Sequence, residues 1–185
     1  AGLLSSKMYG PSVFPAQLAS ITTEGTYGPL AWKVSPGEDQ YRRSLYTFSK
    51  RTAPFALYNT FDAPTGEACI ARREVSDTPL QALTLLNDQV FMEVAQVLGK
   101  NIAGLSQSDE DRARTLFRRC VTRPPGEEEL AALVGFVKAQ RTRFSAKEID
   151  PAKVSGAAGN DAVERATWTM AARAVLNLDE AVTKD

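Results

Sequence analysis

The sequence predicts a mainly α-helical protein, a helical bundle whose N-terminal third is irregular and rich in loops. Three observations predict this fold class. Glycine and proline recur throughout residues 10–64, which disfavours long regular elements there. Apolar residues then recur at helical spacing over 78–144. Finally, most of the segment 161–183 is apolar on nearly every side, which is typical of a helix at the centre of a core.

The chain is expected to form a single domain, 1–185, because domains typically contain about 100–200 residues. A chain of this length buries about 70% of its unfolded surface and needs neither a disulfide nor a metal to fold. No apolar run reaches the roughly 18 residues of a membrane span. The N-terminus lacks an initiator Met and the regions of a signal peptide, so we expect a mature product or a piece of a longer protein.

Residues 1–77 are expected to be an irregular segment with short elements. Tyr41, Leu45 and Phe48 fall at helical spacing, although the aromatic residues and Thr47 also suit a strand, and we favour a short helix. Burial beneath the loops is the expected use of an aromatic cluster in this segment. Its members are Tyr41, Tyr46, Phe48, Phe55, Tyr58 and Phe61.

The segment 78–144 is expected to hold successive helices. It opens with Thr78 as an N-cap and Pro79 at the first helical position. Asn87 and Asp88 interrupt the apolar pattern and predict a kink. Further along, the sequence 108–111 resembles a capping box, and the three glutamates at 127–129 open a helix at its positive end.

The C-terminal part of the chain is expected to contain a linker and a core helix. Residues 145–160 are small and polar, which predicts a flexible linker. The helix 161–183 follows, and its only charged residue between Ala166 and Leu178 is Arg173. We therefore expect this helix to fill the core.

The composition excludes several classes of function. Histidine is absent, so this chain has no Ser-His-Asp or Cys-His nucleophile, no HExxH zinc site and no histidine-ligated haem. The 22 basic residues balance the 22 acidic ones, which argues against binding to nucleic acid or anionic lipid by bulk charge. Cys69 and Cys120 lack the spacing of a metal site; buried thiols are favoured over a disulfide. We expect no catalytic residue, no metal and no cofactor in this chain.

Four charged residues are the candidates for a binding site: Asp62, Arg72, Arg73 and Asp88. Arginine binds phosphate, sulfate or carboxylate through two parallel hydrogen bonds, and a pair of carboxyl groups can hydrolyse polysaccharide. The alternative is structural, because a loop-rich segment needs partners for its buried carbonyl groups, and arginines beside Asp62 and Asp88 would provide them. We favour the structural use and keep a carbohydrate-binding or polysaccharide-processing domain as the alternative function.

Several motifs along the chain, in order, resemble an uncharacterised C-terminal domain family of large planctomycete-type proteins that carry an upstream cytochrome c-like module. The motifs occupy residues 10–13, 41–48, 50–52, 61–64, 69, 72–73, 78–83, 86–88 and 176–180. Ser49 stands where a Trp is frequent in the family, and Gln89 stands where a Pro often follows Asn-Asp. The second difference weakens the case for a complete helix break at Asn87.

The resemblance implies an extracytoplasmic location, at the periplasm or cell surface, and haem c only in the upstream module. With the residue types present, it leads us to expect a non-catalytic docking or assembly module of a larger exported haem-containing protein. The expected partners are neighbouring domains of that protein or another protein, with polysaccharide as the alternative, and neither nucleic acid nor a membrane span.

Overall fold

The computed structural model describes residues 1–17, 32–50, 54–66 and 68–183, which are mainly helical and form no strand. The fold class predicted from the sequence is therefore confirmed. None of the helices in these ranges has the length and apolar character needed to cross a bilayer. The α-helices of the described residues are α1 Ala56–Thr60, α2 Pro79–Asn87, α3 Gln89–Ala103, α4 Asp109–Val121, α5 Glu127–Ser145, α6 Pro151–Ser155, α7 Ala162–Leu176 and α8 Asp179–Val182.

The chain divides into two compact units, and the single domain expected from the sequence stays a prediction. The N-terminal unit is Gly2–Thr84, and the C-terminal unit is Leu85–Asp185 together with Ala1. The division follows the change in composition along the chain. The loop-rich segment and the apolar helices each make most of their contacts within their own unit, since a loop offers no continuous apolar face to a helix.

Among its described residues, the N-terminal unit contains loops, two short 3-10 helices, α1 and residues 79–84 of α2. The 3-10 helices, Gly37–Tyr41 and Ser44–Tyr46, replace the single short helix that the sequence favours. Arg42 and Thr47 lie beside them in extended conformation and form isolated parallel bridges with Ser5 and Val13. These bridges use the backbone groups that an α-helix would need, so both the helical and the strand-like signals of this segment have a physical basis.

Arg42 holds the N-terminal loop in place. Its side chain is buried, and Nη2 donates hydrogen bonds to the carbonyl oxygens of Lys7, at 3.1 Å, and Tyr9, at 2.7 Å. Its guanidinium also lies 3.7 Å from the centre of the Tyr46 ring. Carbonyl groups that are not paired in secondary structure need other hydrogen-bond donors. The guanidinium group of Arg42 is that donor for Lys7 and Tyr9.

Aromatic rings form the core of the N-terminal unit. The ring centres of Phe14 and Phe48 are 5.0 Å apart, and those of Phe14 and Trp32 are 5.2 Å apart. Phe55 stacks on Trp32 at 5.8 Å and meets Tyr58 edge-on at 5.4 Å. Phe55 is buried as the sequence predicts, whereas Phe48 and Tyr58 are half-buried. Phe14 and Trp32 also belong to this core but are not among the aromatic residues predicted from the sequence.

Helix α7 is the core of the C-terminal unit, as predicted from its apolar surface. Trp168 is fully buried, and Ala166, Ala171 and Ala172 are also inaccessible to solvent. The predicted helix 161–183 is nevertheless not continuous. It ends at Leu176, and α8 begins at Asp179 after a short turn.

The backbones of α3 and α7 approach each other closely at Gly99. A Cβ atom placed on Gly99 would lie 2.5 Å from the backbone nitrogen and Oγ1 of Thr169 and 2.8 Å from its Cα. Contacts this short are overlaps with backbone atoms and cannot be relieved by a side-chain rotation. Glycine at position 99 therefore sets the distance between these two helices.

The helix boundaries between 78 and 145 follow local capping chemistry. Asp88 Oδ1 accepts a hydrogen bond from the backbone N–H of Val90 at 2.9 Å and begins α3, so the expected kink at Asn87 is a complete break. Ser108 Oγ accepts from the N–H of Asp111 at 3.2 Å, as the capping-box pattern predicts. Asn and Asp favour such breaks because their side chains bind nearby backbone groups.

The segment 145–160 contains α6, where the sequence predicts a flexible linker. Asp150 caps this helix by accepting from the N–H of Ala152 at 3.0 Å, and Pro151 occupies its first turn. Gln96 Nε2 of α3 donates to the carbonyl oxygen of Val154 at 3.0 Å. A polar composition is compatible with a short helix when caps and neighbours satisfy its backbone, which explains the difference.

The cysteines do not follow the expectation of two buried thiols. Both are free; Cys69 is exposed and Cys120 is half-buried. Burial raises the pKa of the Cys120 thiol. Cys69 is exposed because its loop in the N-terminal unit is solvent-accessible on either side of it.

An ionic network joins three helices of the C-terminal unit. Arg141 of α5 donates to both carboxylate oxygens of Asp109, at 2.7 and 2.9 Å, and to both of Glu164, at 2.9 Å each. Arg112 Nη1 and Trp168 Nε1 each add a hydrogen bond of 2.8 Å to Glu164. Every partner is hydrogen-bonded, which a partly buried network of charges needs to be stable.

The close approach at Gly99 predicts a specific loss of stability. We expect Gly99→Ala to lower the free energy of unfolding by about 1–3 kcal/mol, because the added methyl group forces the helices apart. Gly135→Ala is the matched control. It lies within α5 with nothing within 4 Å of its Cβ position, so alanine should raise stability by about 0.5–1 kcal/mol there. Urea unfolding measures both, and a neutral Gly99→Ala would contradict the role of this contact.

The ionic network predicts a loss of stability in acid. Hydrogen bonds from Arg141 lower the pKa of Asp109 below its ordinary 3.8 more than burial raises it. Burial alone would raise the pKa of Glu164, but Arg141, Trp168 and Arg112 together bring it below its ordinary 4.5. The folded state thus binds fewer protons than the unfolded state, so the stabilisation is present above the ordinary pKa values and is lost as the pH falls through the folded ones.

We therefore expect the free energy of unfolding to fall between about pH 5 and about pH 3, and Glu164→Gln to make this fall shallower. Glu128→Gln, at an exposed glutamate of α5, should leave the slope unchanged. Urea unfolding across this pH range measures the slope. Equal slopes for the three proteins would show that the network does not carry the pH dependence.

Candidate functional site

The carboxylate of Asp62 is bound by residues of the same unit. Oδ2 accepts a hydrogen bond from the backbone N–H of Ser76 at 2.8 Å, and both oxygens lie within 2.9 Å of Ser76 Oγ. Gln81 Nε2 donates to Oδ2 at 3.4 Å. Asp62 has a positive φ of 56°, a conformation that Asp tolerates better than most residues. This side chain therefore joins the end of α1 to the residues before α2.

Gln81 is the buried centre of this cluster. Its side chain is 2% exposed, and Oε1 accepts from the N–H of Thr78 at 3.0 Å while Thr78 Oγ1 accepts from the N–H of Gln81 at 3.3 Å. This is a capping box with Gln at the third helical position. Its amide also donates to Ser76 Oγ at 3.0 Å. The sequence analysis missed Ser76 and Gln81, although the Thr-x-x-Gln spacing was a signal for the latter.

The two candidate arginines have different environments. Arg73 Nε donates to the carbonyl oxygen of Asp62 at 2.8 Å, and Nη2 donates to that of Phe61. Arg72 is exposed. Together with the Asp62–Ser76 hydrogen bonds, Arg73 closes the neck of a loop that spans 63–75. We call this segment the pinned loop.

The hydrogen bonds of Asp62 determine its protonation. The hydrogen bonds from the side chain and the backbone of Ser76 lower the pKa of Asp62 below its ordinary value, because they outweigh the smaller effect of burial, which raises it. A general acid in glycoside hydrolysis needs a raised pKa so that it holds a proton near neutral pH. Asp62 is held ionised, which suits a structural clamp better than proton donation.

Asp88 belongs to the C-terminal unit, where it caps α3. Of the four candidates, the structure thus brings Asp62 and Arg73 together in one clamp, leaves Arg72 exposed and uses Asp88 at a helix start. Within the described ranges, no three His, Cys, Asp or Glu side chains lie close enough to hold a metal ion.

Large apolar side chains are exposed mainly on the N-terminal unit. Among the described residues, the C-terminal unit contributes only Leu178 to this set. We give the name apolar cluster to four of the others, because each lies at or beside the Ser5–Arg42 bridge or the hydrogen bond between Tyr9 and Tyr46: Leu4, Met8, Tyr9 and Leu45, which are 65%, 54%, 80% and 87% exposed. Tyr46 connects part of it, because its hydroxyl accepts from the N–H of Tyr9 at 3.0 Å and lies 3.7 Å from the sulfur of Met8.

The clamp predicts a local effect of losing Asp62. We expect Asp62→Ala to accelerate hydrogen exchange of the Ser76 amide by about tenfold or more, because the amide loses its acceptor and the pinned loop opens. Arg72→Ala, in the same loop but exposed, is the control and should leave this rate unchanged. Exchange followed by NMR measures both. An unchanged rate in Asp62→Ala would show that the loop is held by other contacts.

Comparison with known proteins gives one family. Residues 1–137 match the model of PSD1, described as a protein of unknown function (DUF1553). No curated protein matches the chain, and no solved structure does. The match includes the N-terminal unit, with Asp62, Arg73 and the apolar cluster, and the C-terminal unit as far as Val137 of α5. The chain therefore belongs to the PSD1 family of proteins of unknown function.

Proposed function

We propose that this chain is a non-catalytic docking module of a larger exported protein that carries haem c in another module. The observation that supports docking most directly is the concentration of exposed large apolar side chains on the N-terminal unit. Clusters of this kind mark interaction sites, because a soluble surface without a partner rarely retains them.

The N-terminal unit holds part of the apolar cluster in a fixed conformation. The backbone of Tyr9 has a positive φ of 62°, which is costly for a residue with a side chain. Arg42 binds the Tyr9 carbonyl oxygen at 2.7 Å, and the Tyr46 hydroxyl accepts its N–H at 3.0 Å. Both peptide groups of Tyr9 are thus fixed while its ring faces solvent. Pre-organisation of this kind reduces the ordering cost of binding, and tyrosine is frequent among the residues that dominate interfaces.

The use of the polar candidates also supports a non-catalytic role. Asp62 and Arg73 close the pinned loop, and Asp88 caps a helix. Each is committed to the scaffold of its own unit. The haem-bearing neighbour and the location outside the cytoplasm rest on the resemblance in sequence motifs. The lack of histidine in this chain supports the proposal that the haem is bound in another module, because haem is usually ligated by histidine.

A photo-crosslinking residue at position 45 of the longer protein tests the proposal. We expect crosslinks from this position to a haem-bearing segment of the same polypeptide, mapped by mass spectrometry, because Leu45 is the most exposed member of the apolar cluster. The control is the same crosslinker at position 128, an exposed glutamate on α5. It should not crosslink that segment.

A second variant separates docking from a chance encounter. Tyr9→Asp should reduce the yield of the position-45 crosslink by about tenfold, since a charge in a buried interface is costly. Crosslinks confined to residues 1–185, or equal yields at positions 45 and 128, would contradict docking through the apolar cluster. Crosslinks to a different protein would contradict the haem-bearing neighbour.

A further inference from the structure

A cavity lies where α5 ends and α6 and α7 begin. Its volume is about 360 Å³, and it is lined by Phe144, Ser145, Lys147, Asp150, Pro151 and Val163. Cavities that bind small molecules typically measure about 300–1,000 Å³ and combine an apolar wall with a few polar groups. This cavity has that composition: Pro151 and Val163 are its accessible apolar residues, and Phe144 borders it but is only 1% exposed. Four of the six lining residues belong to the segment 145–160, which the sequence assigns to a linker.

Lys147 occupies a strained backbone position at the edge of this cavity. Its φ is +57°, and it follows the last turn of α5. The N–H of Lys147 donates to the carbonyl oxygen of Phe144 at 3.1 Å, and that of Glu148 donates to Arg143 at 3.2 Å. This is the Schellman pattern, in which glycine normally takes the left-handed position. A lysine here is conformationally costly, which makes its side chain a candidate for a role other than ending the helix.

The charges around the cavity favour an anion. Asp150 uses its carboxylate to cap α6, accepting the N–H of Ala152 at 3.0 Å. Glu148 is paired with Arg143 at 3.0 Å. Lys147 forms no ion pair within the part of the chain that the structure describes. Asp150 forms no ion pair there either, but its carboxylate is hydrogen-bonded as the cap of α6, so the charged group of the lining without a hydrogen-bonding partner in the described residues is the ammonium group of Lys147.

We propose that this cavity binds a small monocarboxylate with an apolar body. The carboxylate pairs with Lys147, and the body packs against Pro151 and Val163. At roughly 30 Å³ for each water-sized group, the cavity holds about twelve such groups, which is enough for a carboxylate with about eight carbon atoms. All six lining residues lie beyond the 1–137 match to the PSD1 family, so the site goes beyond both the family assignment and the proposed docking function.

Titration of the chain with octanoate, octanamide and octylammonium tests the proposal. Binding is followed by NMR through the methyl signals of Val163 and the ring signals of Phe144. We expect saturable shifts with octanoate and at least tenfold weaker binding of octanamide, which lacks the charge. Preferential binding of octylammonium would assign the site to Asp150 and overturn the proposal. Equal binding of all three, or no saturation by octanoate at millimolar concentration, would also overturn it.

Two variants at Lys147 separate binding from folding. Lys147→Gln should weaken octanoate binding at least tenfold, whereas Lys153→Gln, at an exposed lysine of α6 outside the cavity lining, should leave it unchanged. Lys147→Gly should raise the melting temperature by relieving the left-handed backbone and yet weaken octanoate binding to the same extent as Lys147→Gln. If Lys147→Gly binds octanoate as well as the unmodified chain, the lysine serves no ligand and the proposal fails.

Discussion

The C-terminal unit depends on how closely α3 and α7 can approach at Gly99. Because glycine has no side chain, the backbone of α3 lies against Thr169, and α7 can fill the centre of the unit with Trp168 and a row of alanines. The other helices then arrange themselves around this pair. The ionic network of Arg141, Asp109 and Glu164 adds to that arrangement by linking α4, α5 and α7 at their surfaces. Packing at Gly99 thus sets the distance between α3 and α7, and the ionic network links α4 and α5 to α7.

The N-terminal unit is stabilised by a different kind of interaction. It has few backbone hydrogen bonds within regular elements, so guanidinium groups bind its carbonyl oxygens instead. Arg42 does this for Lys7 and Tyr9, and Arg73 does it for Phe61 and Asp62. An arginine offers several donors in a fixed plane and can therefore replace part of a hydrogen-bonding ladder.

Features that depend on neighbours in sequence were predictable, and features that depend on distant contacts were not. The central helix, the Ser108 cap and the stop before α5 each have a local signature. Asp150 and Pro151 are a local signal for the start of α6. This five-residue helix was not predicted because the residues around the signal are mainly small and polar, which is typical of a linker. The sequence around Gly99 does not distinguish it from Gly135, which also lies within an α-helix. The two differ because Gly99 packs against Thr169, a residue 70 positions later in the chain, whereas the Cβ position of Gly135 has no neighbour within 4 Å. The arginine clamps were foreseen in kind, but their partners depend on how the loops close.

The match to the PSD1 family ends at Val137, inside α5, whereas α7 begins only at Ala162. The match therefore contains α3, α4 and the first part of α5 but not α7, the helix against which they pack. Truncation after residue 137, where the family match ends, would remove α7. This is the apolar helix against which Leu98, Ile102 and Leu116 pack, and its loss would expose those side chains to water. The end of the family match is therefore not a position at which the C-terminal unit can be cut without exposing its core.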